Sequence, residues 1–262
     1  SSVNRDMETS MARLSSGKRI NSASDDAAGV AISSRLSAEI RGTDQAIRNS
    51  LDGQALIDTA EGAHKEIENI LQRMREVTIQ AANDTNNDQD RANLQAEIEA
   101  MTTEIDRIAG TTTWAGADLM EDATTTFSFQ VGAATGAKNQ ISVTIETMNA
   151  TGLGVGTGTA SVVDVTDATK ANTGTGLIDA AIEDVNIQRS KLGAVSNRLN
   201  HTVNNLTNIS SNLSAAKGGI EDADFALETT NLAKNQILQQ ASTAMLAQAN
   251  ASKQNVLSLL QG

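Results

Sequence analysis

Between Leu56 and Ala81 the apolar residues fall at Leu56, Ala60, Ala63, Ile67, Ile70, Met74, Val77 and Ala81, so the spacing alternates between four and three. A period of 3.5 keeps one stripe of a helix facing a partner helix along its length, which makes this stretch a coiled-coil seam. The opposite face carries Glu61, Lys65, Glu66, Glu68, Arg73, Arg75 and Glu76, and reads as solvated. The spacing returns at Leu94, Ile98, Met101, Ile105 and Ile108. It returns again at Val185, Leu192, Leu199, Leu206 and Leu213, where Ile178, Ile182, Val195, Val203 and Ile209 widen the stripe. Proline, ordinarily about 5% of a chain, is absent from all 262 residues, so nothing forces these helices to kink or stop. With three Phe, one Trp and no Tyr, the core must be filled by Ala, Ile, Leu, Val and Met. That filling suits thin helix–helix seams better than a thick globular centre.

The rest of the chain punctuates those seams. The polar run 83–90 separates the first two and predicts an antiparallel helical hairpin, with Asp88 and Asp90 capping the second helix and Gly110 closing it. Phe127–Val131 and Ile141–Ile145 alternate apolar with polar residues, which predicts a β-hairpin over about 127–145. The Thr/Gly/Ala-rich segment 151–176, with Val162, Val163 and Val165, reads as surface loop or weak strand. A helix is expected from about Leu177 to Ala216, roughly 60 Å long at 1.5 Å per residue, stopping at Lys217-Gly218-Gly219. The expected class is mainly α: long antiparallel coiled-coil helices with a β-hairpin and a small irregular insert.

The two ends are unusual. A last helix is expected from about Asp222 to Leu260, rich in Ala and Leu and almost uncharged after Lys234 except for Lys253; Leu238, Met245, Val256, Leu257 and Leu260 mark its apolar content. The start of the chain offers a short stripe of Val3, Met7, Met11 and Leu14. Two such thin helices bury too little surface to be stable alone. The expectation is therefore self-association, with the ends ordering as copies stack.

Several function classes are disfavoured. A formal net charge of −12 without clustered Lys or Arg repels phosphate backbones, which argues against nucleic-acid binding. No apolar run approaches the ~20 residues a membrane-spanning helix needs, and the first residues do not resemble a signal peptide. Cysteine is absent, which excludes disulfides. His64 and His201 lie in helical segments, read as surface or flank positions, and begin no His-Glu-x-x-His pattern; no Gly-x-Ser-x-Gly elbow occurs. Residues 84–95 start like a calcium loop but place Gln89 and Gln95 where Gly and Glu are required. The alternating glycines 152, 154, 156 and 158 lack a phosphate-loop lysine. No enzyme activity, metal or cofactor is expected.

Longer motifs carry a resemblance. Arg13-Leu14-Ser15-Ser16-Gly17-Lys18-Arg19-Ile20-Asn21-Ser22-Ala23, followed by Asp25-Asp26-Ala27-Ala28-Gly29-Val30-Ala31-Ile32, resembles the N-terminal signature of bacterial flagellins. Ile70–Glu76, Thr111–Gly116, Phe129–Ala133 and the closing Val256–Gly262 also look like that family. The resemblance implies a structural subunit of the flagellar filament, extracellular and exported without a cleaved signal peptide. It implies an inner layer of about 1–27 with 223–262, whose terminal helices fold on assembly, and a surrounding coiled-coil layer of about 28–222. The implied partners are further copies in a helical homopolymer, an export chaperone, and hook-associated or cap proteins. The leader that precedes the family signature is missing here, which predicts weakened polymerisation. The outer domains are reduced to the segment around 151–176. Trp114 stands where Phe is common, a change expected to be tolerated in a half-buried contact.

Gln72, Arg73, Val77 and Glu97 admit two readings. On spacing alone they form the exposed face of two coiled-coil helices, with intrahelical and interhelical pairs. By the resemblance, they are a subunit interface or the face bound by the flagellin-sensing Toll-like receptor, with Val77 in place of a commoner Leu. The competing function classes are a cell-surface adhesin or glycan-binding homologue, for which only Trp114 offers an aromatic platform, and a hook–filament junction protein.

Overall fold

The computed structural model describes residues 2–121, 124–157 and 160–260, the side chains of 160 and 254–260 excepted. In chain order the elements are α1 (Ser2–Ser16), α2 (Ala27–Ala81), α3 (Asp88–Thr111), β1 (Thr113–Trp114), β2 (Ala117–Asp118), β3 (Thr125–Gln130), β4 (Gln140–Ile145), β5 (Gly156–Thr157), β6 (Ala160–Ser161), α4 (Ala168–Glu221) and α5 (Phe225–Leu260). The chain divides into unit 1, residues 1–41 and 209–262, and unit 2, residues 42–208. Helices α2 and α4 each contribute residues to both.

Unit 2 realises the expected architecture. α2 and α3 form the antiparallel hairpin, and the α2 seam is buried at Leu56, Ala60, Ile67, Met74, Val77 and Ala81. A second stripe on α2 is buried with it, at Ile57, His64, Leu71 and Thr78, each seven residues from the last. α3 supplies Ile98, Ile105 and Ala109, and α4 supplies Ile178, Ala181, Val185, Leu192 and Leu199. Asn87 is the N-cap of α3: its side chain accepts from the Asp90 amide at 2.9 Å while the Asp90 carboxylate accepts from the Asn87 amide at 3.2 Å. This reciprocal box corrects the sequence-based expectation that Asp88 caps the helix. Gly110 lies inside the last turn of α3, and the C-cap is Thr112. The glycine serves close approach instead, since a Cβ there would meet the Glu121 carboxylate at about 3.0 Å.

β3 and β4 pair antiparallel in the register Phe127↔Val143 and Phe129↔Ile141. Ile141, Val143 and Ile145 are buried while the alternate residues of β4 are exposed. The hairpin lies on α2, with the Phe129 ring about 3.1 Å from where a Gly53 Cβ would be and Asn49 Nδ2 donating to the Gln130 carbonyl at 3.0 Å. β1 and β2 form a two-residue hairpin whose central Ala115 and Gly116 have φ of 50° and 83°. Both central positions of such a turn require positive φ.

The insert is more structured than a surface loop. Leu153, Val155, Val163 and Val165 are all buried, and only Val162 of the three noted valines is exposed. Gln95 of α3 holds the segment at two points: its Nε2 donates to the Val163 carbonyl at 3.2 Å and its Oε1 accepts from the Val165 amide at 2.8 Å. α4 begins at Ala168 rather than near Leu177, because Asp167 accepts from the Lys170 amide at 2.8 Å and so caps the helix earlier. Just before it, hydrogen bonds from Lys170 and Thr166 hold the Asp164 carboxyl down at about 2. α4 also runs through Gly218 and Gly219 to Glu221. It ends only where Asp224 caps α5, accepting from the amides of Ala226 and Leu227 at 2.9 and 3.1 Å.

Unit 1 is built differently. α1 ends at Ser16, and Gly17 takes a left-handed φ of 70°, the conformation in which glycine terminates a helix at least cost. α1 packs along α5. Among the described residues of this unit the one buried large hydrophobic side chain is Ile20; the other buried side chains are Ser10, Ser33 and Glu228.

Candidate assembly surfaces

Unit 1 holds its two chain segments together with polar bonds. Arg13 Nη1 pairs with Glu228 Oε1 at 2.8 Å, and Arg13 Nε donates to the Arg19 carbonyl at 3.0 Å. The stretches that follow α1 and α4 lie side by side: the Arg19 amide donates to the Glu221 carbonyl at 2.6 Å and the Ala223 amide to the Gly17 carbonyl at 3.0 Å, so that the backbones of Lys18 and Asp222 form an isolated antiparallel β-bridge. The Glu221 carboxylate is the hub. It accepts from the Ser33 hydroxyl and pairs with Lys18 at 3.1 Å and Lys217 at 3.9 Å. The Ser33 hydrogen bond is the main reason its pKa lies below the ordinary carboxylate value. Beside it Gly29 packs so tightly that a Cβ would fall 2.6 Å from Ile20 Cδ1.

The apolar side chains of the ends are mostly uncovered. Val3, Met7 and Leu14 are half-buried, whereas Met11 is exposed. On α5, Phe225, Leu227, Ile237, Leu238, Met245 and Leu246 are between 41% and 72% exposed. The Val256, Leu257 and Leu260 side chains lie outside the described residues. So many large apolar side chains left exposed on one helix mark it as a region that other protein surfaces can cover.

Unit 2 offers a charged surface. Arg73 of α2 donates to Glu97 of α3 through Nε and Nη2 at 3.1 and 2.9 Å, and also pairs with Glu76 at 2.9 Å. Its hydrogen bonds to these carboxylates, that to Glu76 foremost, raise its pKa further. Gln72 is exposed and donates to Glu68 at 3.1 Å. Val77 does not join this face. It is fully buried in the core, which removes it from any contact surface; its place in the α2 seam decides its fate. Further along the two helices, a groove of about 820 Å³ is floored by Ala63, Ile70 and Ile108 and edged by Asp58, Glu66 and Glu104.

Both terminal regions match known family descriptions. The bacterial flagellin N-terminal helical region matches residues 1–125, and the bacterial flagellin C-terminal helical region matches residues 175–260. The chain belongs to the bacterial flagellin family. Flagellin of Halalkalibacterium halodurans is 47% identical over 254 residues, which cover 97% of this chain and 92% of that one. Flagellin of Bacillus subtilis is 45% identical over 290 aligned residues, covering 100% and 95%. Among solved structures, the Bacillus cereus flagellin crystal structure is 31% identical with a TM-score of 0.50, covering 65% of this chain and 94% of that one. A putative flagellar hook-associated protein from Vibrio parahaemolyticus shares the fold at 16% identity, with a TM-score of 0.62 and coverage of 76% and 100%.

As a flagellin, the chain is a structural subunit of a flagellar filament, and the adhesin and junction readings are not favoured. Three features escaped the sequence reading. His64, expected on the surface, is completely buried; its Nδ1 lies 2.6 Å from the Ala60 carbonyl and its Nε2 meets no partner among the described residues. Its position seven residues from both Ile57 and Leu71 is the signal that could have placed it inside. Arg189 of α4 reaches across to Glu61 at 2.8 Å and to Glu68 on α2, residues assigned to a purely solvated face. Glu228 carried no sequence signal, because its partner Arg13 is distant in the chain.

Proposed function

We propose that unit 1 drives polymerisation by coupled folding and assembly, its helices gaining a core only where neighbouring copies supply one. The observation that carries this is the contrast, among the described residues, between one buried large hydrophobic side chain in unit 1 and six exposed ones on α5 alone. A segment that buries so little apolar surface on its own gains little against its ordering entropy, and stacking copies supplies the missing area. We assign the inner layer to residues 1–27 and 223–262, including the Val256, Leu257 and Leu260 end, and the surrounding layer to 28–222. The subunit would be extracellular, exported without a cleaved signal peptide, and served by an export chaperone and by hook-associated and cap proteins. Gln72, Arg73 and Glu97 form the face assigned to a neighbouring subunit or to a flagellin-sensing Toll-like receptor; a reporter-cell assay comparing wild type with R73A tests the second role. For polymerisation, the test is addition of the full chain to sheared filament seeds, with growth followed by electron microscopy. Elongation supports the mechanism. A monomer that never adds to seeds, or whose two terminal helices are already fully protected from hydrogen exchange when dilute, overturns it.

A further inference from the structure

The oxidisable side chains are divided unevenly between the two units. The chain has no cysteine and no tyrosine, one tryptophan and seven methionines, so the methionine thioethers are the softest groups it offers to an oxidant. Met74, Met120 and Met148 lie in the unit 2 core at no more than 1% exposure, and Met101 is half-buried against the same core. Unit 1 holds Met7, Met11 and Met245. Met7 is half-buried, Met11 is 54% exposed, and Met245, at 72%, is the most exposed large hydrophobic side chain among the described residues. Both exposed thioethers sit in the apolar stripes of the ends. Met11 follows Val3 and Met7 at four-residue steps on α1, and Met245 stands seven residues after Leu238 on α5. From Asn235 to Ser252 α5 carries no charged side chain at all.

Resting on the polymerisation reading above, we propose that Met11 and Met245 form an oxidation site through which a hydroperoxide controls addition of the free subunit. The thioether sulfur attacks one peroxide oxygen; the S=O bond forms as the O–O bond breaks. The sulfur loses two electrons and the peroxide gains them. The transferred oxygen gives its proton to the departing hydroxide, which leaves as water. The product is a sulfoxide, whose oxygen is a strong hydrogen-bond acceptor on what was an apolar side chain. In water that acceptor is satisfied. Covered by a neighbouring copy it is desolvated, in a stretch of α5 that has no cation to meet it. The modification therefore acts on assembly and spares the unit 2 core, where Met74, Met120 and Met148 are out of reach. Addition to a filament covers the stripes, so the assembled copy is shielded from the reagent that stops the free one.

Hydrogen peroxide applied to the dilute full chain tests this, with peptide mass spectrometry reporting one added oxygen at each methionine. Met245 and Met11 are expected to oxidise first, and Met74, Met120 and Met148 about tenfold more slowly or less, a difference that urea should erase. The treated chain should show a critical concentration for seeded elongation raised by about tenfold, with the thermal melt of the monomer unchanged. Methionine sulfoxide reductases acting on both sulfoxide epimers should restore elongation. The double variant Met11→Leu with Met245→Leu keeps the apolar bulk and should elongate equally before and after peroxide. Equal reactivity of all methionines in the native chain overturns the site, as does unchanged elongation of chain shown to carry both sulfoxides. Equal peroxide damage in the double variant, or elongation that stays lost after reduction, overturns it too by placing the lesion elsewhere. If the untreated wild-type chain fails to elongate seeds at all, the polymerisation reading fails and takes the site's role with it, a result distinct from the others.

Discussion

Unit 2 and unit 1 are both made of long helices, yet they solve opposite problems. Unit 2 buries its seams on three helices and a hairpin and closes a core that includes Leu56, Leu71, Met74, Ile105, Ile145 and Leu192. Unit 1 buries Ile20 and leaves Phe225, Ile237 and Met245 in solvent. Charge divides the same way: twenty-three acidic against eleven basic side chains place the entire −12 on unit 2, while unit 1 sums to zero. A surface that must pack densely against copies of itself is best neutral, because like charges brought together repel. A surface that keeps filaments apart in solution benefits from a single sign. The difference teaches that long helices can carry either kind of unit, distinguished by whether the apolar side chains are covered within one copy and by where the charge goes.

The largest effect that separates the two is core truncation. Leu71→Ala or Met74→Ala removes a fully buried side chain from unit 2 and should cost about 3 kcal/mol in urea unfolding of the monomer. Ile237→Ser or Leu246→Ser in unit 1 should change that monomer stability by no more than about 0.5 kcal/mol, yet abolish growth on seeds. If the α5 substitutions destabilise the dilute monomer as much as the core ones do, the contrast between the units collapses.

A smaller effect sharpens the account of the unit 2 core. Burial is the main cause that lowers the His64 pKa below 6.5, opposed by the Ala60 carbonyl and the Glu61 charge and reinforced by Arg189 of α4. The folded state therefore binds fewer protons than the unfolded state once pH drops below 6.5. Stability is fully present above that value and declines as pH falls toward the lowered one, by about 1.4 kcal/mol per pH unit from this residue. His64→Leu should flatten the slope below pH 6.5 in urea melts. An unchanged slope would show that other groups carry it.

How much of this was legible depended on the range of the signal. Heptads, the β3–β4 alternation and the apolar ends are local patterns, and they lead to the observed helices and hairpin. What escaped depends on partners distant in the chain. Gln95 looks like a surface residue on α3 until the insert is seen to hang from it, and His64 looks polar until α2 is recognised as packing on two sides rather than one. Gly218 and Gly219 suggest a stop to α4 and the Gly/Thr-rich stretch before Leu177 a late start, whereas Asp167 and Asp224 set the real boundaries. Gln95→Ala tests the first of these: losing both bonds to the Val163–Val165 segment should lower unit 2 stability by about 1–2 kcal/mol and speed amide exchange at Val165.

The smallest expected effect concerns the Arg73–Glu97 pair, and its smallness is what makes it useful. Arg73 and Glu97 bridge α2 and α3 at 2.9 Å, but their side chains are 53% and 40% exposed. Solvent and salt screen such a pair, so Arg73→Ala, Glu97→Ala and the double variant should yield a coupling of no more than about 1 kcal/mol in the monomer, shrinking further in high salt. Arg73 also keeps Glu76 as a partner, which cushions the loss of Glu97. Unit 2 therefore does not need these residues for its own stability, since the fully buried Leu71, Met74 and Val77 of the same helix carry that role. Any larger loss in filament growth or receptor activation than in monomer stability then measures their use by a partner. A coupling well above that bound in the monomer would instead make the pair a structural strut of the helical hairpin.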